Sequence, residues 1–110
     1  MKKAYRVRKN EEFSRIIKKR HSKANNTFIV YASYKLKANA RVGISVSKKL
    51  GGAVERNKIK RQLRMMLQEL INFEECEYDY IVIVRNAYLG NSYAENKKCL
   101  EKSIKNCKIK

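Results

Sequence analysis

Two stretches of this chain are apolar on both parities of a β-strand, and they constrain its fold more than any other feature. Thr27 to Tyr34 (TFIVYASY) is rich in aromatic and β-branched residues. Phe28, Val30, Ala32 and Tyr34 fall on one face of such a strand, and Ile29, Tyr31 and Ser33 on the other. Both faces are largely apolar, so a helix or a ligand has to cover each side. Tyr78 to Val84 (YDYIVIV) is a second strand of the buried type.

Helices with apolar stripes are available to supply that cover. Asn10 suits an N-cap, Glu11 and Glu12 follow in the first turn, and Phe13, Ile16 and Ile17 fall at i, i+3 and i+4. A helix is expected from about Asn10 to Arg20, followed by a turn or short strand over His21 to Asn26. Lys37-Ala38-Asn39 reads as a hairpin turn with Asn39 able to turn left-handed, and Arg41 to Ser47 as the strand that returns to pair. Gly51 and Gly52 break that strand. A helix from about Ala53 to Ile71 then presents Ile59, Leu63, Met66, Leu67 and Leu70 on one face. Ser92 and Glu95 form a capping box for a last helix carrying Tyr93, Leu100, Ile104 and Cys107. The expected fold is α+β, a two-layer α/β sandwich with about four strands in a mixed sheet and three helices, in one domain over 1–110.

Charge narrows the partners. Twenty-seven Lys and Arg against ten Asp and Glu leave a net +17, and self-repulsion of that size is offset by a polyanion. A membrane surface fares badly, because the longest strongly apolar run is Tyr80 to Val84, against about 20 residues for a bilayer span. MKKAYRVRKN has no apolar core, so it is not expected to act as a secretory signal. Cys76, Cys99 and Cys107 are odd in number and lack a C-x-x-C spacing, which disfavours a disulfide framework or a zinc site and suits a reducing cytoplasm.

The basic residues are sorted. Arg41 to Arg64 holds eight Lys or Arg and one acid, Glu55. Along the expected helix Asn57, Arg61 and Arg64 share one stripe, Arg56 and Lys60 lie beside it, and Lys58 sits apart. A merely solvated face would intersperse acids for i,i+4 pairing. Arginine forks onto phosphate oxygens and Asn57 adds a directed contact. Lys48 and Lys49 stand at the glycine turn that opens the helix. Lys48, Lys49, Arg56, Asn57, Lys58, Lys60, Arg61 and Arg64 are therefore the candidate residues for gripping a polyanion, RNA among them.

Phe13 on the first helix and Tyr31 on the first strand stand where they can meet in a shallow groove able to stack unpaired nucleotides, although Phe13 at helical spacing also suits plain packing. Catalytic residues are not found. His21 is the sole histidine and reads as a surface imidazole without a triad partner. Glu74, Glu75, Glu77 and Asp79 read as a solvated acidic rim rather than a metal site.

The ordered pattern Arg41-Val42-Gly43, Val46-Ser47-Lys48-Lys49, Gly51, Ala53-Val54, Arg56-Asn57, Lys60-Arg61 and Arg64 resembles the protein subunits of bacterial ribonuclease P. Lys9-Asn10-Glu11-Glu12-Phe13, the TFIVY strand and the YDYIVIV strand fall in the same family order, so the resemblance covers nearly the whole chain. It implies a ribonucleoprotein that removes the 5′ leader of precursor tRNA, in which a large RNA with bound Mg²⁺ is the catalyst and the protein assists, one protein per RNA. It implies that Arg56, Asn57, Lys60, Arg61 and Arg64 contact that RNA and that Phe13, Ile17, Ile29 and Tyr31 line the groove for the single-stranded leader. Members often carry an aromatic where this chain has Ile17. The implied fold is like that of a ribosomal-protein domain, with a left-handed β-α-β crossover through the central helix. A structural RNA-binding protein, such as a ribosomal protein, is the alternative with the same charge sorting. A nuclease working without RNA is a third, which lacks an acid–base constellation.

Overall fold

The computed structural model describes residues 1–107. Three α-helices, α1 (Asn10–Lys18), α2 (Ala53–Leu70) and α3 (Tyr93–Asn106), surround four strands, β1 (Ser22–Ala24), β2 (Phe28–Tyr34), β3 (Val42–Ser45) and β4 (Tyr78–Val84). The sheet order is β1-β2-β4-β3, with β4 antiparallel to β2 and parallel to β3. This is the mixed α/β sandwich expected, and α2 makes the β3-α2-β4 connection. No helix among the described residues is long and apolar enough to cross a membrane.

The expected hairpin does not form: β2 and β3 are not paired. β4 lies between them, because the two strands that are apolar on both faces take the two central places. The connection after β2 docks instead on the segment leading into β4. Lys35 N–H donates to the Glu77 carbonyl (3.0 Å) and Ala40 N–H to the Phe73 carbonyl (2.8 Å). Asn39 does not turn left-handed; its amide ties the loop down by donating to the Ala4 and Ala40 carbonyls at 2.8 and 2.9 Å. Among the described residues the positive-φ residue outside glycine is Arg20 (φ 58), and α1 accordingly stops at Lys18, short of Arg20. Asn10 is the first helical residue rather than the cap, the cap position being held by Lys9 without a side-chain hydrogen bond. The Ser92–Glu95 capping box forms as read, both of its hydrogen bonds being present.

The sheet buries its two faces against different helices. Phe28, Val30, Ala32, Val42, Tyr80, Val82 and Val84 join Ile59, Leu63, Met66 and Leu67 of α2 and Leu100 and Ile104 of α3 in the larger core. On the opposite face Ile16 of α1, Val7 and Ile81 form a smaller one, flanked by half-buried Phe13, Ile17, Tyr31 and Ile83. The outer edge of β3 is closed by the N-terminal segment, where Val7 N–H donates to the Val42 carbonyl at 2.9 Å.

Two features seat α1. Gly43 has no side chain because the Phe13 ring occupies its place: a Cβ there would lie 2.6 Å from Phe13 Cζ and 2.8 Å from Ile81 Cδ1. Beside it, Arg41 is buried and pairs with Glu12 of α1 (2.5 Å) and with Asp79 of β4 (3.5 Å), and Arg15 reaches Asp79 at 4.0 Å. Arg41 N–H also donates to Asp79 Oδ1 at 2.9 Å. Asp79 is therefore no part of an acidic rim, unlike exposed Glu74, Glu75 and Glu77.

Burial raises the Asp79 carboxyl above the usual aspartate range, against the pull of Arg41 and Arg15. Removing the Arg41 side chain leaves buried Asp79 with the more distant Arg15 and the backbone N–H of residue 41, and leaves Glu12 without its cation, so Arg41→Ala is expected to cost about 3 kcal/mol near neutral pH. The deficit shrinks on acidification, because Asp79 takes up a proton as pH falls through its raised pKa and the poorly compensated charge disappears. Urea melts at neutral and mildly acidic pH check this. Gly43→Ala, which overfills the site under Phe13, is expected to lose about 1–3 kcal/mol in the same melts.

Candidate nucleic-acid interface

The entry to α2 is a 3₁₀ turn, Lys48–Leu50, capped by Ser47 Oγ, which accepts from Lys49 N–H at 3.1 Å. Gly51 follows at φ 139, a conformation that favours glycine, and a side chain there would strike Glu55 Cβ. That turn puts Lys48 and Lys49 in solvent at the start of the basic helix, while Leu50 is buried as their anchor.

On α2 the apolar face is buried against the sheet, so the cations are forced outward. Asn57, Lys58 and Arg61 are exposed, and Arg56, Lys60 and Arg64 are half-buried along the edge of the helix. Among the described residues none of Lys48, Lys49, Arg56, Lys58, Lys60, Arg61 and Arg64 forms an ion pair, whereas Arg15, Arg41, Lys97 and Lys105 do. The candidate RNA-binding residues thus converge on one side of the molecule, with Lys58 turned toward the opposite flank, where it lines a cavity with Gln62 and Tyr93.

The sequence reading missed the N-terminal segment as part of this surface. Arg6 and Arg8 meet Lys60 and Arg64 around a small cavity of about 130 Å³ beside Val42 and Ile44. Burial and the neighbouring Arg6 lower the affinity of Arg64 for its proton, and Arg6 Nε is buried with no hydrogen-bond partner among the described residues. The signal was present as five bases and no acid in residues 1–9. What placed them, the Arg6–Val42 bridge to β3, involves backbone atoms and leaves no mark on the side-chain pattern. Arg41 goes the other way: it belongs to the basic stretch in sequence but is buried and paired with Glu12 and Asp79.

The groove residues also come together. Phe13 and Ile17 of α1 and Tyr31 of β2 pack around the smaller core, and Ile29 stands two residues from Tyr31 on the same face, opposite Ile83. All four are half-buried, a strip of apolar side chains with accessible edges between α1 and the sheet. The two readings of Phe13 both describe it, since its ring sits over Gly43 while part of it remains in solvent. Exposed Lys18, Lys19 and Arg20 leave α1 beside it. This strip lies on the face of the sheet opposite α2, so the two candidate surfaces are separate.

Among the described residues no acid–base pair is assembled around either surface. The His21 ring is half-buried with Nε2 3.1 Å from the Cys107 carbonyl oxygen rather than on the open surface. Among the described residues no three His, Cys, Asp or Glu side chains gather where they would hold a metal ion. Cys76, Cys99 and Cys107 are free thiols, partly or fully buried.

Comparison with known proteins identifies the family and the fold. The family model described as Ribonuclease P matches residues 1–108. The Ribonuclease P protein component of Mesoplasma florum is 48% identical over 99 residues, covering 89% of this chain and 90% of that protein. The solved RNase P protein of Staphylococcus aureus superposes with a TM-score of 0.85 at 42% identity, over 97% of this chain and 98% of the other. That of Thermotoga maritima superposes with a TM-score of 0.81 at 26% identity, over 94% and 98%. The chain belongs to the ribonuclease P protein family, the accessory protein component of an endoribonuclease acting on precursor tRNA.

Proposed function

We propose that this chain grips the catalytic RNA of ribonuclease P with the outward flank of α2 and holds the 5′ leader of precursor tRNA on the strip between α1 and the sheet. The observation that carries this reading is the set of seven Lys and Arg around α2 that form no ion pair among the described residues. Such cations bind phosphates with release of counterions, and the planar arginines among them suit paired phosphate oxygens. The strip at Phe13, Ile17, Ile29 and Tyr31 suits unpaired bases, which stack on aromatic and apolar side chains.

In this assignment residues 1–110 act as one RNA-binding domain in the cytoplasm, one protein to one RNA. Magnesium is assigned mainly to the RNA, as the family resemblance implies, and hydrolysis of the leader bond is the chemistry it supports there. The protein's own part is positioning: neutralising phosphate charge near the catalyst and raising the affinity for leader-bearing substrate. No side chain is assigned to acid, base or nucleophile. The reading as a structural RNA-binding protein accounts for the α2 flank but not for the groove on the opposite face.

Adding the chain to its cognate RNA at low Mg²⁺ is expected to accelerate cleavage of a leader-bearing precursor tRNA. Unchanged cleavage contradicts the assignment, and cleavage by the chain without RNA would make it a nuclease in its own right. Within the complex, Arg61→Ala is expected to weaken RNA binding and to flatten the log–log salt dependence by about one unit, the signature of one lost phosphate contact. Tyr31→Ala is expected to reduce affinity for long-leader substrates by about tenfold while leaving assembly with the RNA intact. Equal losses for leaderless and leader-bearing substrates in a binding titration would remove the leader from this strip.

A further inference from the structure

A second cavity, of about 250 Å³, lies on the flank of α2 away from the Arg6–Arg64 cluster, between that helix and the segment entering α3. Lys58 and Gln62 stand on one wall and Leu89, Asn91 and Tyr93 on the other, with buried Tyr88 beneath them. Leu89 is 58% and Tyr93 38% exposed, two large apolar side chains left in solvent at the mouth of a cavity. Lys58 is the basic residue of α2 that the sorted stripe does not include, and this is the side to which it turns.

The polar groups of the cavity are held in fixed orientations. Tyr88 OH donates to Gln62 Oε1 at 2.8 Å. Burial, with Tyr93 nearby, pushes the Tyr88 hydroxyl up to about 12, so it keeps its proton and stays a donor at neutral pH. The oxygen of Gln62 being taken, its NH₂ group is the end left to act, and it has no acceptor among the described residues. Asn91 is fixed in the opposite sense. Its NH₂ donates to Thr27 Oγ1 (3.3 Å) and to Asn96 Oδ1 (3.1 Å), and Asn96 in turn donates to the Tyr88 carbonyl. That leaves Asn91 Oδ1 as an acceptor without a donor among the described residues. A preset donor and a preset acceptor thus line one small cavity beside an aromatic ring and a leucine.

An anion is a poor fit, since Glu55 lines the cavity along with Lys58 and leaves it close to neutral. A neutral, flat group with its own donor and acceptor edge fits the amides and the tyrosine face. We propose that the cavity between α2 and α3 takes one unpaired nucleobase of the RNA subunit, stacked against Tyr93 and Leu89 and hydrogen-bonded to Gln62 and Asn91, with Lys58 on the adjoining phosphate. Continuity with the basic flank of α2 selects RNA as the occupant: the exposed ridge at Arg61 separates the cavity from Arg56, Lys60 and Arg64 by the width of one helix. The inference rests on the reading of α2 as an RNA-binding helix and extends the contact around it.

The test is a salt series of binding titrations with the cognate RNA subunit, run on the parent chain, Tyr93→Ala, Tyr93→Phe and Arg61→Ala. Thermal melts of each confirm that these exposed positions leave the fold intact. Loss of a stacked base is expected to weaken binding by Tyr93→Ala about tenfold with no change in salt slope, while Tyr93→Phe, which keeps the ring, stays within about twofold. Binding by Tyr93→Ala within about twofold of the parent overturns the inference. So does a salt slope reduced as far as in Arg61→Ala, which would mean a phosphate contact. If Arg61→Ala weakens binding and Tyr93→Ala does not, the cavity alone is misassigned; if neither has any effect, α2 is not the RNA-binding helix. AMP that binds in a Tyr93-dependent way, while RNA binding ignores Tyr93, would identify a free nucleotide as the occupant and also overturn it.

Discussion

Strands β2 and β4 pair over seven residues, Phe28 to Tyr34 against Val84 to Tyr78, and each has to be buried on both faces. Covering one face takes the long helix α2 together with α3, and covering the other takes α1 and the N-terminal segment. The main stabilisation is the removal of that apolar surface from water, at about 25 cal/mol per Å². Every feature assigned a role in RNA binding is a by-product of how the two faces are covered. The helix on the first face has an outer side free to carry cations. The helix on the second face is too short to hide the whole strip, so an apolar groove remains beside it.

Charge and packing therefore divide the labour along the sheet. A domain this small cannot hold a net +17 by pairing charges internally, since it has ten acids to set against its bases. The acids it has are spent unevenly. Glu12 and Asp79 hold Arg41 and so fix α1 to the sheet, while Glu69 holds Lys97 and joins α2 to α3. None neutralises the α2 flank. The unpaired cations are a consequence of where the carboxylates sit, and a polyanion is the partner that completes them.

Much of this was legible in the sequence. The β4 bounds, the α2 stripe and the Ser92–Glu95 capping box follow from local pattern, and the structure reproduces them because nothing distant competes there. The pairing of β2 with β4 was not legible by the same route, because a turn-like Lys37-Ala38-Asn39 suggests a hairpin while strand order is decided by which strands need two covers. Burial of Arg41 and Asp79 was hidden for a related reason. Each looks like a surface residue until its partner, 38 positions away in the chain, is known. The basic arm at Arg6 and Arg8 joined the α2 surface through a backbone bridge, which side-chain chemistry does not announce. Family resemblance supplied what local pattern lacked, namely the assignment of the groove to a leader and of the flank to a catalytic RNA.

The proposed separation of catalytic-RNA and leader contacts onto opposite faces of one sheet is tested most directly by crosslinking. A photoreactive side chain is placed at position 61 or at position 31, and each variant is assembled with its RNA subunit and a precursor tRNA carrying a long leader. Opposite faces predict adducts with the catalytic RNA from position 61 and with the leader from position 31. Leader adducts from position 61, or catalytic-RNA adducts alone from position 31, would contradict it.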